Sequence, residues 1–437
     1  MKNTRKSLMK CIDELSKISH LFSANPSKDF SRNRKLPFKK MITSLLCMKG
    51  GSLSNELLDL FDNEVNTPSA SAFVQQRAKI LPEAFETLFH MFNKAQKSFP
   101  ALDGYRLLAI DGSDIHIPTN KFDADSYYPG KNDRKPYNLL HLNALYDLCN
   151  HTYVDAVIQK SRKINEHQAF TDMVDKFPVD SPAIFIADRG YESYNNMAHI
   201  QEKGLNFLIR VKDNKGLVSG FDLPGEGEFD ISIHLFLTRK QTNHTKEMFK
   251  QRNTYKFIPH NSKFDYLPQK LSKFKELTPY ELNFRIVRFK LTDNTFETIV
   301  TNLNKNEFSP EKLKVLYSMR WGIETSFRDL KYTVGLLSFH SKKVENIVQE
   351  IFASLIMYNY TEMITSHVII QNTDKKHIYQ ANFSVAVHVC KKHILENISP
   401  PIMEAIILRN TVPIRPNRTN PRKMTVKTAP SFCYRVS

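Results

Sequence analysis

Apolar residues recur at three- and four-residue spacings through most of the first hundred positions, which predicts helices there. The segment MITSLLCMKG ends at Gly50-Gly51, and SLSNELLDLF opens on Ser52 or Ser54 as an N-cap. A turn at Asn66-Thr67-Pro68-Ser69 leads into SASAFVQQRAKIL, and Leu81–Gln96 continues as an amphipathic helix. From Asp103 the texture changes to short apolar runs of strand length. YRLLAIDGSD stops at Asp111, and NLLHLNALYDL (138–148) and TYVDAVIQK (152–160) are joined by a turn-like Cys149-Asn150-His151. AIFIAD ends in Asp188, and NFLIRVK spans 206–212. Helical patterns over 165–177 and 194–202 separate these last strands.

Three strands, helix, strand, helix, strand predicts an α/β fold with a ribonuclease-H-like sheet, in which hairpin strands lead into βαβ crossovers. Between Lys212 and Phe296 the rhythm is interrupted. Strand patterns at 229–237 and 281–291 mark a β-rich insertion, and FETIVTNL (296–303) returns to the core. The expected organisation is a helical region over 1–100, the core over 101–212 and 297–372, the insertion over 213–296, and a helical, basic tail over 373–437.

One further pattern changes the picture. YSMRWGIETSFRDLK (317–331) reads as a single helix with one Gly and no Pro. At about 100° per residue, Tyr317, Arg320, Glu324 and Lys331 share one edge of it. A carboxylate between two cations and a phenol suits a metal beside a phosphodiester; a solvated helix with Glu/Arg pairing explains the same residues. Asp111 and Asp188 each close an apolar strand, at the sheet edge where ligands bind in α/β folds. Two aspartates and a glutamate are hard oxygen donors, suited to Mg²⁺ or Mn²⁺ rather than zinc. Two such ions would serve in-line phosphoryl displacement. For either aspartate alone, a strand-end cap is the plainer explanation, and Asp114 reads as a loop or cap residue. His141 and His340 read as satisfied structural histidines.

Charge points the same way. The formal net charge is +17, with eleven Lys/Arg in residues 1–40 and seven basic residues and no acidic one after Glu404. That excess favours a polyanionic partner, nucleic acid before membrane. Five scattered cysteines without CxxC spacing argue against zinc ribbons and a disulfide framework. No run is long enough for a membrane span and no signal-peptide pattern is present, so a cytoplasmic, nucleoid-associated protein is expected. The helices around the Asn66–Ser69 turn look like a helix-turn-helix, with Ser71, Gln75, Gln76, Arg77 and Lys79 as candidate groove or phosphate contacts; an ordinary helical hairpin fits equally. Arg239, Lys240, Lys246, Lys250, Arg252 and Lys256 give the insertion a basic surface.

LLAIDGSD, IFIADRGY and Tyr317-x2-Arg320-x3-Glu324-x6-Lys331 together resemble the three signature blocks of DDE transposases of bacterial insertion sequences, in the insertion-sequence-four family. The resemblance runs from about Leu107 to Leu337, more loosely into PSASAFVQQRAKI. It implies a ribonuclease-H-like core and metal-dependent cut-and-paste transposition on terminal inverted repeats and target DNA, by a homodimer in the DNA complex. Asp111, Asp188 and Glu324 would then be catalytic and hold two Mg²⁺ or Mn²⁺ ions, and Tyr317, Arg320 and Lys331 would contact DNA phosphates. Arg189, Gln76 and Arg77 are further DNA-contact candidates. Trp321 would stack on a displaced base or, as the plainer reading has it, pack in the core. A different metal-dependent nuclease and a catalytically silent DNA-binding derivative are the rival readings.

Overall fold

The structure, a computed structural model, describes residues 1–32, 34–48, 50–95, 101–130, 135–213, 215–268, 278–292, 295–371, 377–396 and 398–414. The chain opens with α1 (Lys2–Lys17), α2 (Phe38–Cys47), α3 (Leu53–Leu60), α4 (Ala70–Arg77) and α5 (Glu83–Lys94). Serine caps start the two helices of the expected helix-turn-helix: Ser52 Oγ accepts from Asn55 N–H and Ser69 Oγ from Ala72 N–H.

Ten strands then form one mixed sheet. They are β1 (Arg106–Ile117), β2 (Tyr127–Tyr128), β3 (Tyr137–Asp147), β4 (Thr152–Lys160), β5 (Ala183–Ala187), β6 (Asn206–Val211), β7 (Phe229–Thr238), β8 (Tyr255–Phe257), β9 (Tyr280–Thr292) and β10 (Thr295–Thr301). Helix α6 (Glu166–Lys176) connects β4 to β5, α7 (Tyr194–Glu202) connects β5 to β6, and the short α8 (Asn243–Met248) precedes β8. β4, β3 and β1 are antiparallel neighbours, and β1, β5 and β6 are parallel. That is the order expected from the sequence.

One expectation needs correction here. β1 does not stop at Asp111, because β3 accompanies it from Leu108 opposite Asp147 to Ile117 opposite Asn138. Asp114, expected in a loop, is therefore a strand residue. The strands of the expected insertion join the core sheet. β10 pairs with β6 as expected, but β9 pairs with β10 and β7 with β9, so the inserted strands widen the same sheet.

Side-chain alternation divides the core into two layers. Leu108, Ile110, Phe185 and Ala187 face α6 and α7, while Leu107, Ala109, Ile184 and Ile186 face the opposite side. That second side is covered by α9 (Pro310–Ser318), α10 (Trp321–Asp329), α11 (Val344–Thr365), α12 (Phe383–Glu396) and the N-terminal helices. α13 (Pro400–Arg409) follows, and strands β11 (Tyr379–Ala381) and β12 (Thr411–Pro413) pair as a small separate ribbon. Residues 415–437 of the expected basic tail lie outside the described residues. Among the described residues no helix is long and apolar enough to cross a membrane.

α11 carries a carboxylate in an unfavourable place. Burial, together with the charge of Asp329, pushes Glu362 up to about 8. An unfolded chain ionises this group near its ordinary 4.5, so stability should fall as pH rises from there through 8 and level off above. Glu362→Gln should abolish that slope. At pH 8.5 it should exceed wild type by about 2 kcal/mol, the full shift being discounted for the residue's partial exposure. Urea denaturation at pH 5 and 8.5 checks this; an equal gap at both would reject it.

Candidate active site

Ile110 and Ala187 are paired across β1 and β5, and both strands carry an aspartate next. β5 ends there, so Asp111 and Asp188 lie side by side where β1 loses its partner on that edge. Alternation puts both on the side facing α10, since Asp111 follows Leu107 and Ala109, and Asp188 follows Ile184 and Ile186. Asp188 caps a short 3₁₀ turn, its Oδ1 accepting from Gly190 N–H at 2.7 Å, and Asp111 Oδ1 accepts from Gly112 N–H at 2.8 Å.

The third carboxylate arrives on α10, and here the expected single helix is broken. α9 stops at Ser318 and α10 starts at Trp321. Across the break, Arg320 N–H reaches Tyr317 O and Ile323 N–H reaches Arg320 O, i-to-i−3 bonds in place of the α-helical ladder. A Cβ on Gly322 would stand 2.9 Å from Leu148 Cδ2, so the glycine lets α10 approach the end of β3. After Asp329 the chain makes a π-helical turn (Leu330–Val334) that closes on Gly335 at φ 106°.

Arg320 ties the groups together. Its Nη2 donates to Glu324 Oε1 at 2.6 Å, and its Nη1 lies 3.5 Å from Asp111 Oδ2. Burial pushes Asp111 up to about 6; the Gly112 N–H and Arg320 pull it down, and the charges of Asp188 and Glu324 raise it. Asp111 therefore senses both of the other carboxylates. Among the described residues no group of three His, Cys, Asp or Glu side chains converges as a preformed metal site. Arg320 supplies the counter-charge instead.

The other expected residues separate into two groups. Lys331 reaches the site, its Nζ donating to Ser113 Oγ at 2.8 Å and to the Asp114 carbonyl at 2.7 Å. Arg189 is exposed beside Asp188. Trp321 is 60% exposed, with the Arg320 guanidinium 5.6 Å from its ring, so the core-packing reading fails. Tyr317 and Arg320 are both 6% exposed, so neither lies on an exposed edge; Tyr317 sits beneath Arg320, and burial raises its hydroxyl. Gln76 and Arg77 are also corrections, because neither presents a polar head to solvent. Gln76 donates to Leu36 O, and Arg77, 1% exposed, is bonded to Gln349, Glu350 and the Asn346 carbonyl. Arg239 is buried likewise, donating to the carbonyls of Pro259 and Ser262.

One pair escaped the sequence reading. Arg210 of β6 and Glu297 of β10 lie 3.2 Å apart; Tyr317 senses both charges, and Glu297 senses Arg320. A lone arginine inside the apolar run NFLIRV was the available signal.

The family model described as a transposase DDE domain matches residues 102–360, which include every residue of this site. The chain belongs to the transposase DDE domain family. Its DDE domain is therefore that of a DNA-transposing phosphoryl-transfer enzyme. Among solved structures the chain is similar to a piggyBac transposase synaptic complex with hairpin DNA, at 11% identity and a TM-score of 0.45, covering 95% of this chain and 85% of that one. No curated protein matches the sequence.

Proposed function

We propose that this transposase cuts and rejoins the inverted-repeat ends of its element by a metal-dependent cut-and-paste route, as a member of the insertion-sequence-four subgroup. The observation that carries this reading is the register that sets Asp111 beside Asp188 beneath Glu324, with Arg320 bonded across the gap. The donor set, three carboxylates of which Asp111 is raised by burial, fits Mg²⁺ or Mn²⁺. Bound by Asp111, Asp188 and Glu324, two such ions would supply activation of a water or 3′-hydroxyl and stabilisation of the leaving oxygen.

The remaining work falls to the chain. Arg320 exchanges its carboxylates for phosphate oxygens of the cleaved end, a bidentate match for its guanidinium. Lys331 adds a point charge next to Ser113, and Arg189 another beside Asp188. Tyr317 supports Arg320 from below. Trp321 offers its exposed face to a base at the cut end. In the N-terminal region the exposed side of α4 takes the role first assigned to Gln76 and Arg77. There Gln75 and Lys79, with Arg34 and Lys35, line a cleft that suits a duplex backbone. A homodimer would bring two ends together.

The test is cleavage of a labelled duplex carrying the repeats that flank the reading frame, with Mg²⁺ and Mn²⁺. Nicking at the repeat boundary followed by strand-transfer products is expected. Cleavage indifferent to the repeats would replace this reading with a general metal nuclease.

A further inference from the structure

On the face of the sheet opposite the carboxylates, beneath the Gly112 that follows Asp111, lies a histidine held between two acids. Asp114 and His141 are paired across β1 and β3, and Glu166 is the first residue of α6. His141 Nδ1 is 2.8 Å from Asp114 Oδ1, and its Nε2 is 2.9 Å from Glu166 Oε1. The ring is buried, while both acids keep one side in solvent. α6 is fixed from its own end, where Asn165 Oδ1 accepts from Gln168 N–H and Asn165 N–H donates to Gln159 Oε1 on β4. Three elements, β1, β3 and α6, therefore meet at one imidazole.

Gly112 shows what that imidazole presses on. A methyl group there would overlap His141 Nε2 and stand 2.9 Å from Glu166 Oε1. Gly112 is adjacent to Asp111, and its N–H is the one that Asp111 Oδ1 accepts. No positive φ demands glycine at this position. What demands it is the space taken by the ring. We infer that His141, clamped by Asp114 and Glu166 against the Gly112 backbone, is a positioning residue that fixes the peptide and carboxylate orientation of Asp111. The inference rests on the proposed role of Asp111 as a metal-holding residue. Its physical basis is the general one that the groups behind a ligating side chain set its aim, since a carboxylate free to rotate spends affinity on being ordered.

The same cluster could serve only to hold β1, β3 and α6 together, and the experiment separates the two roles. Full-length wild type, His141→Ala and His141→Gln are compared on the flanking-repeat duplex in single turnover. Mn²⁺ binding to each protein–DNA complex is followed by electron paramagnetic resonance, and folding by thermal melting. His141→Ala should lower the cleavage rate at saturating DNA by ~10–100-fold and weaken Mn²⁺ binding by about tenfold. Duplex affinity should not change. His141→Gln, which keeps an N–H donor toward Glu166, should recover part of both. Gly112→Ala should be damaging in the wild type and less so combined with His141→Ala, where the overlap is gone.

Wild-type rate and Mn²⁺ affinity in His141→Ala would overturn the inference. So would losses that track only the lost folded fraction, or Gly112→Ala being equally damaging with and without His141. If the wild type fails to cleave the repeats, the cut-and-paste reading falls by itself. Mn²⁺ affinity and the Gly112 pair then still decide whether His141 aims Asp111.

Discussion

Glu324→Ala should reduce single-turnover cleavage of the element end by roughly 10³-fold. A carboxylate that holds catalytic cations contributes several kcal/mol of transition-state stabilisation, and each 1.4 kcal/mol is about tenfold in rate. The side chain is partly exposed and α10 packs through Ile323 and Phe327, so the fold should survive. DNA binding should persist or tighten, because the substitution removes one negative charge and leaves Arg320 with Asp111 alone among the two carboxylates. Cleavage rates and duplex affinities of wild type and variant, measured side by side, provide the check. A variant within tenfold of wild type would remove Glu324 from the chemistry.

Arg77→Ala should destabilise the junction between the N-terminal helices and α11 by about 3 kcal/mol. The guanidinium lies 2.8 Å from Glu350 Oε1 and 2.8 Å from Gln349 Oε1. Glu350 in turn accepts from His340 N–H, and His340 Nε2 lies 3.3 Å from Glu56 of α3. Removing Arg77 takes the guanidinium from a buried Glu350, and a buried carboxylate stripped of its cation is what makes such a deletion costly. Hydrogen exchange across α4 and α11 should accelerate, while the affinity of the folded protein for DNA and its salt dependence stay as they were. A phosphate-binding arginine would give the reverse, unchanged exchange with a shallower salt slope.

The sheet and the carboxylates were legible because each rests on local signals: an apolar run of strand length, then an aspartate, in an order that admits few topologies. What lay beyond reach was set by partners distant in the chain. Asp111 looks like a strand end because Gly112 and Ser113 follow it, yet β3 carries the strand on to Ile117. Arg77 sits in a basic, polar helix and looks exposed until α11 covers it. The helix through Tyr317–Lys331 has unbroken periodicity, and its break at Met319-Arg320 accompanies the close packing of Gly322 on Leu148, which no spacing reports. The β9 pattern, in which Asn283, Arg285 and Arg288 alternate with apolar residues, suggested a strand with one polar face. Leu282, Phe284 and Ile286 on one side and Val287 and Phe289 toward the other instead bury it on both faces.

The continuity of the sheet through β9 and β10 bears on how such chains can diverge. Glu324 is placed by the return of β10 onto β6 and by the helices that follow, not by the number of residues between Asp188 and β10. Loop-closure entropy rises only slowly with length, by about 0.6 kcal/mol per doubling. Loops on the far side of β9 can therefore lengthen, shorten or change their surface charge at small thermodynamic cost, provided the β6–β10 register is kept. Transplanting the 215–278 stretch between relatives should alter which DNA ends are accepted sooner than whether they are cut.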